Sequence, residues 1–174
     1  MTTALPAVGW LPPGRDGASV RGRLGDVAAW VVSHWFGCGL VPKAPGTAGT
    51  VGALPLYLLV RPLGFGALVA TALAVTIAGV IASSRVARLS RQKDPQFVCV
   101  DEVAGVLIAW LAAPAGALGI LSGFILFRLF DTWKPFPARN LERLSGGMGI
   151  VMDDVAAGLW SAAVLGFLRY AGWL

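Results

Sequence analysis

The sequence predicts an all-α fold: a compact, membrane-embedded helical bundle with short or re-entrant helices. Three observations carry that prediction. The 174 residues are 56% hydrophobic and 13% charged, with a mean hydropathy of +0.73, which is too apolar for an ordinary water-soluble domain and excludes a disordered chain. The charges are segregated, leaving Ala44 to Val60, Pro62 to Ser84, Val103 to Phe127 and Val155 to Leu168 without any. Glycine and proline, 23 and 11 in number, interrupt the apolar segments at intervals that suit short helices joined by turns.

Residues 1–25 hold Pro6, Pro12, Pro13 and five glycines. They read as a flexible, cytoplasmic N-terminal tail, followed by a single helical domain over residues 26–174. No apolar core follows a basic start, so no cleaved secretory signal is visible. Gly64 to Ala82 is an uninterrupted apolar run; at 1.5 Å per residue its 19 positions reach about 28 Å, close to a bilayer core of about 30 Å. Arg85, Arg88, Arg91 and Lys93 follow at once, and by the positive-inside rule they place the end of that helix in the cytoplasm.

The run from Val103 is long enough to span, but its middle is Ala112-Ala113-Pro114-Ala115-Gly116, which is turn chemistry. Read as a helical hairpin, Val103 to Leu111 and Leu118 to Phe127 dip into the membrane and return, leaving Asp101, Glu102 and Asp131 on one surface. A single proline-kinked span, the alternative, separates those carboxylates by the membrane thickness. Thr132 to Gly149 is polar and rich in proline and glycine, a loop or interfacial helix. A last helix is expected from about Ile150, with Asp153 and Asp154 in its first turn where the helix dipole favours carboxylates, crossing only part of the bilayer before Arg169. Trp110, Trp133, Trp160 and Trp173 are candidates for interfacial anchors or for packing.

Five of the nine acidic residues, Asp101, Glu102, Asp131, Asp153 and Asp154, lie at the ends of apolar segments. Carboxylates at the edge of hydrocarbon need cations, and an oxygen-rich cluster suits a hard ion such as Mg²⁺ completed by water and substrate phosphate. Helix capping and pairing with Arg128, Lys134 and Arg139 is the competing account. Within each adjacent pair, residues point about 100° apart, so one member ligating and its neighbour orienting a second group is the simplest division. A single imidazole, His34, and two isolated cysteines, Cys38 and Cys99, support neither a zinc site nor a histidine nucleophile. Lys43-Ala44-Pro45-Gly46-Thr47-Ala48-Gly49-Thr50 fits two readings: an anion nest with Thr47 or Thr50 at a helix start beside Lys43, or a tight turn followed by close glycine packing. The net charge of +5 suits anionic headgroups. No basic run interleaved with aromatics points to nucleic acid.

Gly39-Leu40-Val41-Pro42-Lys43-Ala44-Pro45-Gly46-Thr47-Ala48-Gly49-Thr50, Asp101-Glu102-Val103-Ala104-Gly105, Phe127-Arg128-Leu129-Phe130-Asp131-Thr132-Trp133-Lys134-Pro135-Phe136-Pro137 and Gly146-Gly147-Met148-Gly149-Ile150-Val151-Met152-Asp153-Asp154, in this order and spacing, resemble the phosphatidylglycerophosphatase A family from about residue 37 to 165. The resemblance implies an all-α, Mg²⁺-dependent phosphatase of the bacterial inner membrane. It would convert phosphatidylglycerophosphate to phosphatidylglycerol and phosphate, with its site facing the cytoplasm. It further implies catalytic roles for Asp101, Glu102, Asp131, Lys134, Asp153 and Asp154, the five acids being the candidate metal ligands. Lys43, Thr47 and Thr50 match the family's Pro-Gly-Thr loop, and Arg128 and Arg139 are further candidates for binding substrate phosphate. The expected chemistry is metal-assisted attack of water; no Asp-x-Asp-x-Thr nucleophile motif is present, and Ala44 and Gly105, not arginine, stand six residues after the two cysteines. Rival readings are another Mg²⁺-dependent membrane phosphotransferase, which expects aspartates four apart, and a cation-transporting protein, which expects acids at mid-helix. A non-catalytic membrane subunit is the third rival.

Overall fold

The computed structural model describes residues 20–174; the tail expected over residues 1–25 lies outside them as far as residue 19. Eight α-helices follow one another: α1 Val20–Ser33, α2 Pro45–Gly52, α3 Leu54–Val60, α4 Phe65–Ser90, α5 Val100–Trp110, α6 Ala117–Trp133, α7 Ala138–Leu141 and α8 Gly147–Tyr170. Two short 3₁₀ turns, Cys38–Leu40 and Arg61–Leu63, join them, and the described residues contain no strand. The fold is all-α, as expected.

Helix α5 is the core element. Every residue from Val103 to Trp110 is buried, so an 11-residue helix about 16 Å long is enclosed by α2, α4, α6 and, most extensively, α8. The turn at residues 111–116 brings the chain back as α6, with Gly116 at φ 95° before the first turn and Trp110 donating its indole N–H to the Ile120 carbonyl at 3.0 Å. The chain therefore turns as a helical hairpin and not as one kinked helix, and Asp101, Glu102 and Asp131 return to one end of the molecule. Trp110 is a buried packing residue, whereas Trp133 and Trp173 are exposed.

Helices α4 and α8 are each long and apolar enough to cross a membrane. One face of α4 is uncovered among the described residues: Leu73, Ile77 and Ile81 repeat at i, i+4 and are each more than half exposed. On α6, Leu118, Leu121, Ile125 and Leu129 form a similar exposed stripe. Apolar stripes of this length facing outward are what lipid, not water, solvates.

Three boundaries differ from expectation. Helix α1 begins at Val20, inside the predicted tail, and is tied to α4: Asp26 is 5% exposed and accepts a hydrogen bond from Arg85 Nε at 2.6 Å, while Arg85 Nη2 donates to the Gly22 carbonyl at 3.0 Å. For the same reason α4 continues through Arg85 and Arg88 and stops only at Arg91, which takes a left-handed conformation at φ 57°. Helix α8 starts at Gly147, not near Ile150, and its 24 residues are long enough to cross a membrane, more than the part crossing expected. Ser84 accepts the Gly147 N–H at 2.9 Å, and a Cβ at Gly147 would strike the Val80 carbonyl. Asp153 and Asp154 thus sit in the second turn, beyond the free N–H groups that were expected to hold them.

Arg85 is the more critical partner of the α1–α4 pair. Arg85→Met takes the Arg85 countercharge from a buried Asp26 carboxylate and is expected to destabilise by about 3 kcal/mol. Asp26→Asn removes the charge with its need and should cost only about 1 kcal/mol. Thermal unfolding in detergent reads both; equal losses would show that Asp26 does not depend on Arg85.

Candidate active site and metal centre

A cavity of about 400 Å³ opens where the ends of four helices converge. The entry to α2 contributes Lys43, Pro45 and Gly46, the α4–α5 connection Asp94, Pro95, Gln96 and Val98, and the first turn of α5 Asp101 and Glu102. Asp131 and Lys134 come from the end of α6, and Gly149, Ile150, Asp153 and Asp154 from α8. All five acids singled out in the sequence therefore meet in one place, although they come from three helices.

They fall into two groups. Asp101, Glu102 and Asp154 each offer an oxygen within 4.8 Å of the others. Asp101 Oδ1 and Glu102 Oε2 are buried with no hydrogen-bond partner among the described residues. An anionic oxygen held out of water without a donor is costly, so this trio has the donor set and the unmet demand of a hard-cation site. Burial, and then the neighbouring Glu102 charge, push the Asp101 carboxyl well above the ordinary carboxylate range; burial raises Glu102 as well.

The other two acids already have cations. Arg128 Nη1 lies 2.9 Å from Asp131 Oδ2 and 4.0 Å from Glu102 Oε1. Lys134 Nζ donates to Asp153 Oδ2 at 2.8 Å and lies 3.3 Å from Glu142 Oε2. Burial opposes the charge on Lys134, but the hydrogen bond and charge of Asp153, then those of Glu142, outweigh it and raise its pKa above the usual lysine value. Of the adjacent pairs, Asp153 orients Lys134 while Asp154 joins the trio, whereas Asp101 and Glu102 both belong to the trio. Asp153 Oδ1 also lacks a partner among the described residues.

The phosphate-loop candidates separate. Lys43 lines the cavity, and both it and Lys134 adopt left-handed backbone, at φ 70° and 48°; for non-glycine residues this costs about 1–2 kcal/mol, a strain often found at functional sites. Gly46 packs against Glu102, where a Cβ would overlap the carboxylate. Thr47 is exposed and outside the cavity lining. Thr50 is fully buried and donates its hydroxyl to the Gly46 carbonyl at 2.9 Å, so it braces α2. Arg139 is exposed on α7, away from the lining, and Arg128 acts on Asp131 and Glu102 from outside it. Sequence reasoning missed Asp94 and Gln96; the Asp94-Pro95 turn directly before the acidic helix was the available signal, concealed by the basic cluster beside it. Cys99 stands next to the site, but burial and the adjacent acids push its thiol far up, which removes it as a thiolate nucleophile.

Fold and site define an all-α protein of membrane type with an acidic, lysine-flanked cavity at one end. The phosphatidylglycerophosphatase A family model matches residues 31–169, and the chain belongs to that family of phosphatases. It is 33% identical over 163 residues to phosphatidylglycerophosphatase A of Escherichia coli K12, covering 92% of this chain and 94% of that protein. The Haemophilus influenzae protein of the same name is 36% identical over 139 residues, 78% of this chain and 85% of the relative. A Bacteroides thetaiotaomicron protein, provisionally named a phosphatidylinositol-3-phosphatase, is 39% identical over 151 residues, 80% of this chain and 92% of the relative. No solved structure matches the chain.

Proposed function

We propose that this protein is a Mg²⁺-dependent lipid phosphatase that hydrolyses phosphatidylglycerophosphate to phosphatidylglycerol and phosphate in the bacterial inner membrane, from the cytoplasmic side. The observation that carries the metal reading is the Asp101, Glu102 and Asp154 trio with its unpartnered oxygens. Those three residues would hold Mg²⁺, which when bound neutralises phosphoryl oxygens and lowers the pKa of coordinated water. The names of the Escherichia coli and Haemophilus influenzae relatives support the substrate. The basic residues Arg85, Arg88, Arg91 and Lys93 at the cavity end of α4 support the orientation.

The chain's own residues supply the rest. Lys134, fixed by Asp153 and Glu142, and Lys43 across the cavity present positive charge to a phosphate monoester. Charge that moves onto the leaving oxygen in a loose transition state is stabilised by such preplaced cations. Arg128 holds Asp131 at the rim, leaving that carboxylate positioned to accept a proton from attacking water. Phosphate release from phosphatidylglycerophosphate by detergent-purified protein, with Mg²⁺ and with chelator, is the direct test. Release abolished by chelator and restored by Mg²⁺ is expected; release unaffected by chelation overturns the metal reading.

Metal binding should also appear in stability, with a defined pH dependence. The Asp101 and Glu102 carboxyls are raised above their unfolded values, so their contribution to metal-free stability is full at low pH and is lost as pH rises through the raised values. A cation that binds the ionised trio acts in the opposite direction. Mg²⁺ at about 100 times its Kd is expected to stabilise by about 2.7 kcal/mol at pH 8, a Tm increase of about 5–10 °C, and to have little effect near pH 5. A Tm indifferent to Mg²⁺ at both pH values would contradict the trio as a metal site.

A further inference from the structure

We infer that an apolar groove between α1, α2, α3 and α4 seats an acyl chain of the phospholipid substrate. The groove measures about 580 Å³, larger than the catalytic cavity, and is lined by Trp35, Leu56, Ala74, Ala78 and Val100 among others, with Thr71 the only hydroxyl. Trp35 uses its indole N–H on the Gly52 carbonyl at 2.8 Å, so the wall it forms presents only ring carbon. The inference rests on the lipid-phosphatase reading above.

Three elements run from the catalytic cavity to this groove and measure their separation. On α5 the two are adjacent: Val100 lines the groove and Asp101 the cavity. On α2, Gly46 borders the cavity and Gly52 the groove, six residues or about 9 Å apart. In phosphatidylglycerophosphate about nine bonds separate the terminal phosphorus from the glycerol carbons that carry the acyl esters, an extended reach of about 10 Å at about 3.5 Å per three bonds. On α4, Thr71 to Ala78 lie about 9–20 Å from Ser84, which contacts the start of α8 at cavity level. That interval is acyl-chain depth in a leaflet whose hydrocarbon half is about 15 Å thick. A phosphate in the cavity thus places the esters at the mouth of the groove and the chain along it.

A helix that merely faces lipid has no need of a hollow. The exposed face of α4 elsewhere carries Leu73, Ile77 and Ile81, whereas the groove face presents the small Ala74 and Ala78 at i, i+4. About 10 Å of helix between Thr71 and Ala78 accommodates about nine bonds of chain.

The test fills the groove with Ala74→Phe and Ala78→Phe, both at exposed positions, beside Leu73→Phe outside it. Hydrolysis is measured on diacyl phosphatidylglycerophosphate in mixed micelles and on the deacylated, water-soluble glycerophosphoglycerophosphate. Expected is a KM at least 10-fold higher for the diacyl substrate in the double variant, no change for the deacylated one, and no change for either in Leu73→Phe. The second readout does not need turnover: phosphatidylglycerol carrying a nitroxide on its acyl chain, in nanodiscs, should show an immobilised spectral component that the double variant loses and Leu73→Phe keeps. Unchanged diacyl KM with an unchanged spectrum overturns the inference, as does an equal loss on both substrates. A filled variant that turns a dimer into a monomer would assign the groove to a second copy and overturn it too. If wild type hydrolyses neither compound, the phosphatase reading fails while the spectrum still decides the groove.

Discussion

Asp154→Asn is expected to reduce phosphate release from phosphatidylglycerophosphate by at least about 10³-fold, the scale seen when a preorganised charge at a reacting centre is removed, and to raise the Tm of the metal-free protein. Both effects share one cause. Asp154 is 5% exposed and gathers with Asp101 and Glu102 in a space where their oxygens lie within 4.8 Å. Without a cation the three carboxyls repel one another and lack water, so neutralising one relieves the fold; with a cation the same substitution deletes a ligand and a unit of charge. Activity and stability therefore move in opposite directions, the usual signature of a site held together for chemistry and not for stability. Asp153→Asn should behave differently. It frees Lys134 from its shorter partner but leaves the Glu142 contact at 3.3 Å, so a loss of about 10- to 100-fold without a gain in Tm is expected. Phosphate release at saturating Mg²⁺ and thermal unfolding in chelator, run on both variants, decide the matter. A destabilised, inactive Asp154→Asn would mean that Asp154 serves the fold.

Much of this arrangement was legible in the sequence because local chemistry dictated it. Pro114 and Gly116 specify a turn whatever surrounds them, and that turn alone returns Asp131 to the level of Asp101. The uncharged run after Pro62 could only be a long apolar helix. What was not legible depended on partners distant in sequence. Gly146-Gly147-Met148-Gly149 has loop composition, yet Gly147 and Gly149 are helical, and they are glycine because a side chain there would strike the carbonyls of Val80 and Leu144. Thr50 looked like a phosphate ligand until the chain closed its hydroxyl onto its own helix. Gln96 reaches the cavity only because Pro95 and Val98 on either side are buried and Phe97 stacks on His34 at 4.7 Å. No periodicity announces such an anchored loop.

The spacing of the carboxylate trio is set one helical turn away, and a single methyl group should reveal it. Gly105 follows Asp101 by four residues and Gly158 follows Asp154 by four, so each glycine lies on the same helix face as its acid. They meet where α5 crosses α8: a Cβ on Gly158 would fall on the Gly105 carbonyl, and one on Gly105 would meet the Phe127 ring and, at 2.7 Å, the Asp154 carbonyl. Backbone on both sides leaves nothing flexible to yield, so Gly158→Ala must push the helices apart and cost about 1–3 kcal/mol. The same displacement opens the trio. A misplacement of about 1 Å is enough to reduce turnover about 10²-fold, and a widened trio should require more Mg²⁺ to saturate. Gly166, two turns further along α8, has no atom within 4 Å of an added Cβ, which makes Gly166→Ala the matched control on the same helix. Mg²⁺ titrations of phosphate release should therefore shift for Gly158→Ala and coincide with wild type for Gly166→Ala. Wild-type activity at wild-type Mg²⁺ in Gly158→Ala would show that the crossing does not govern the site.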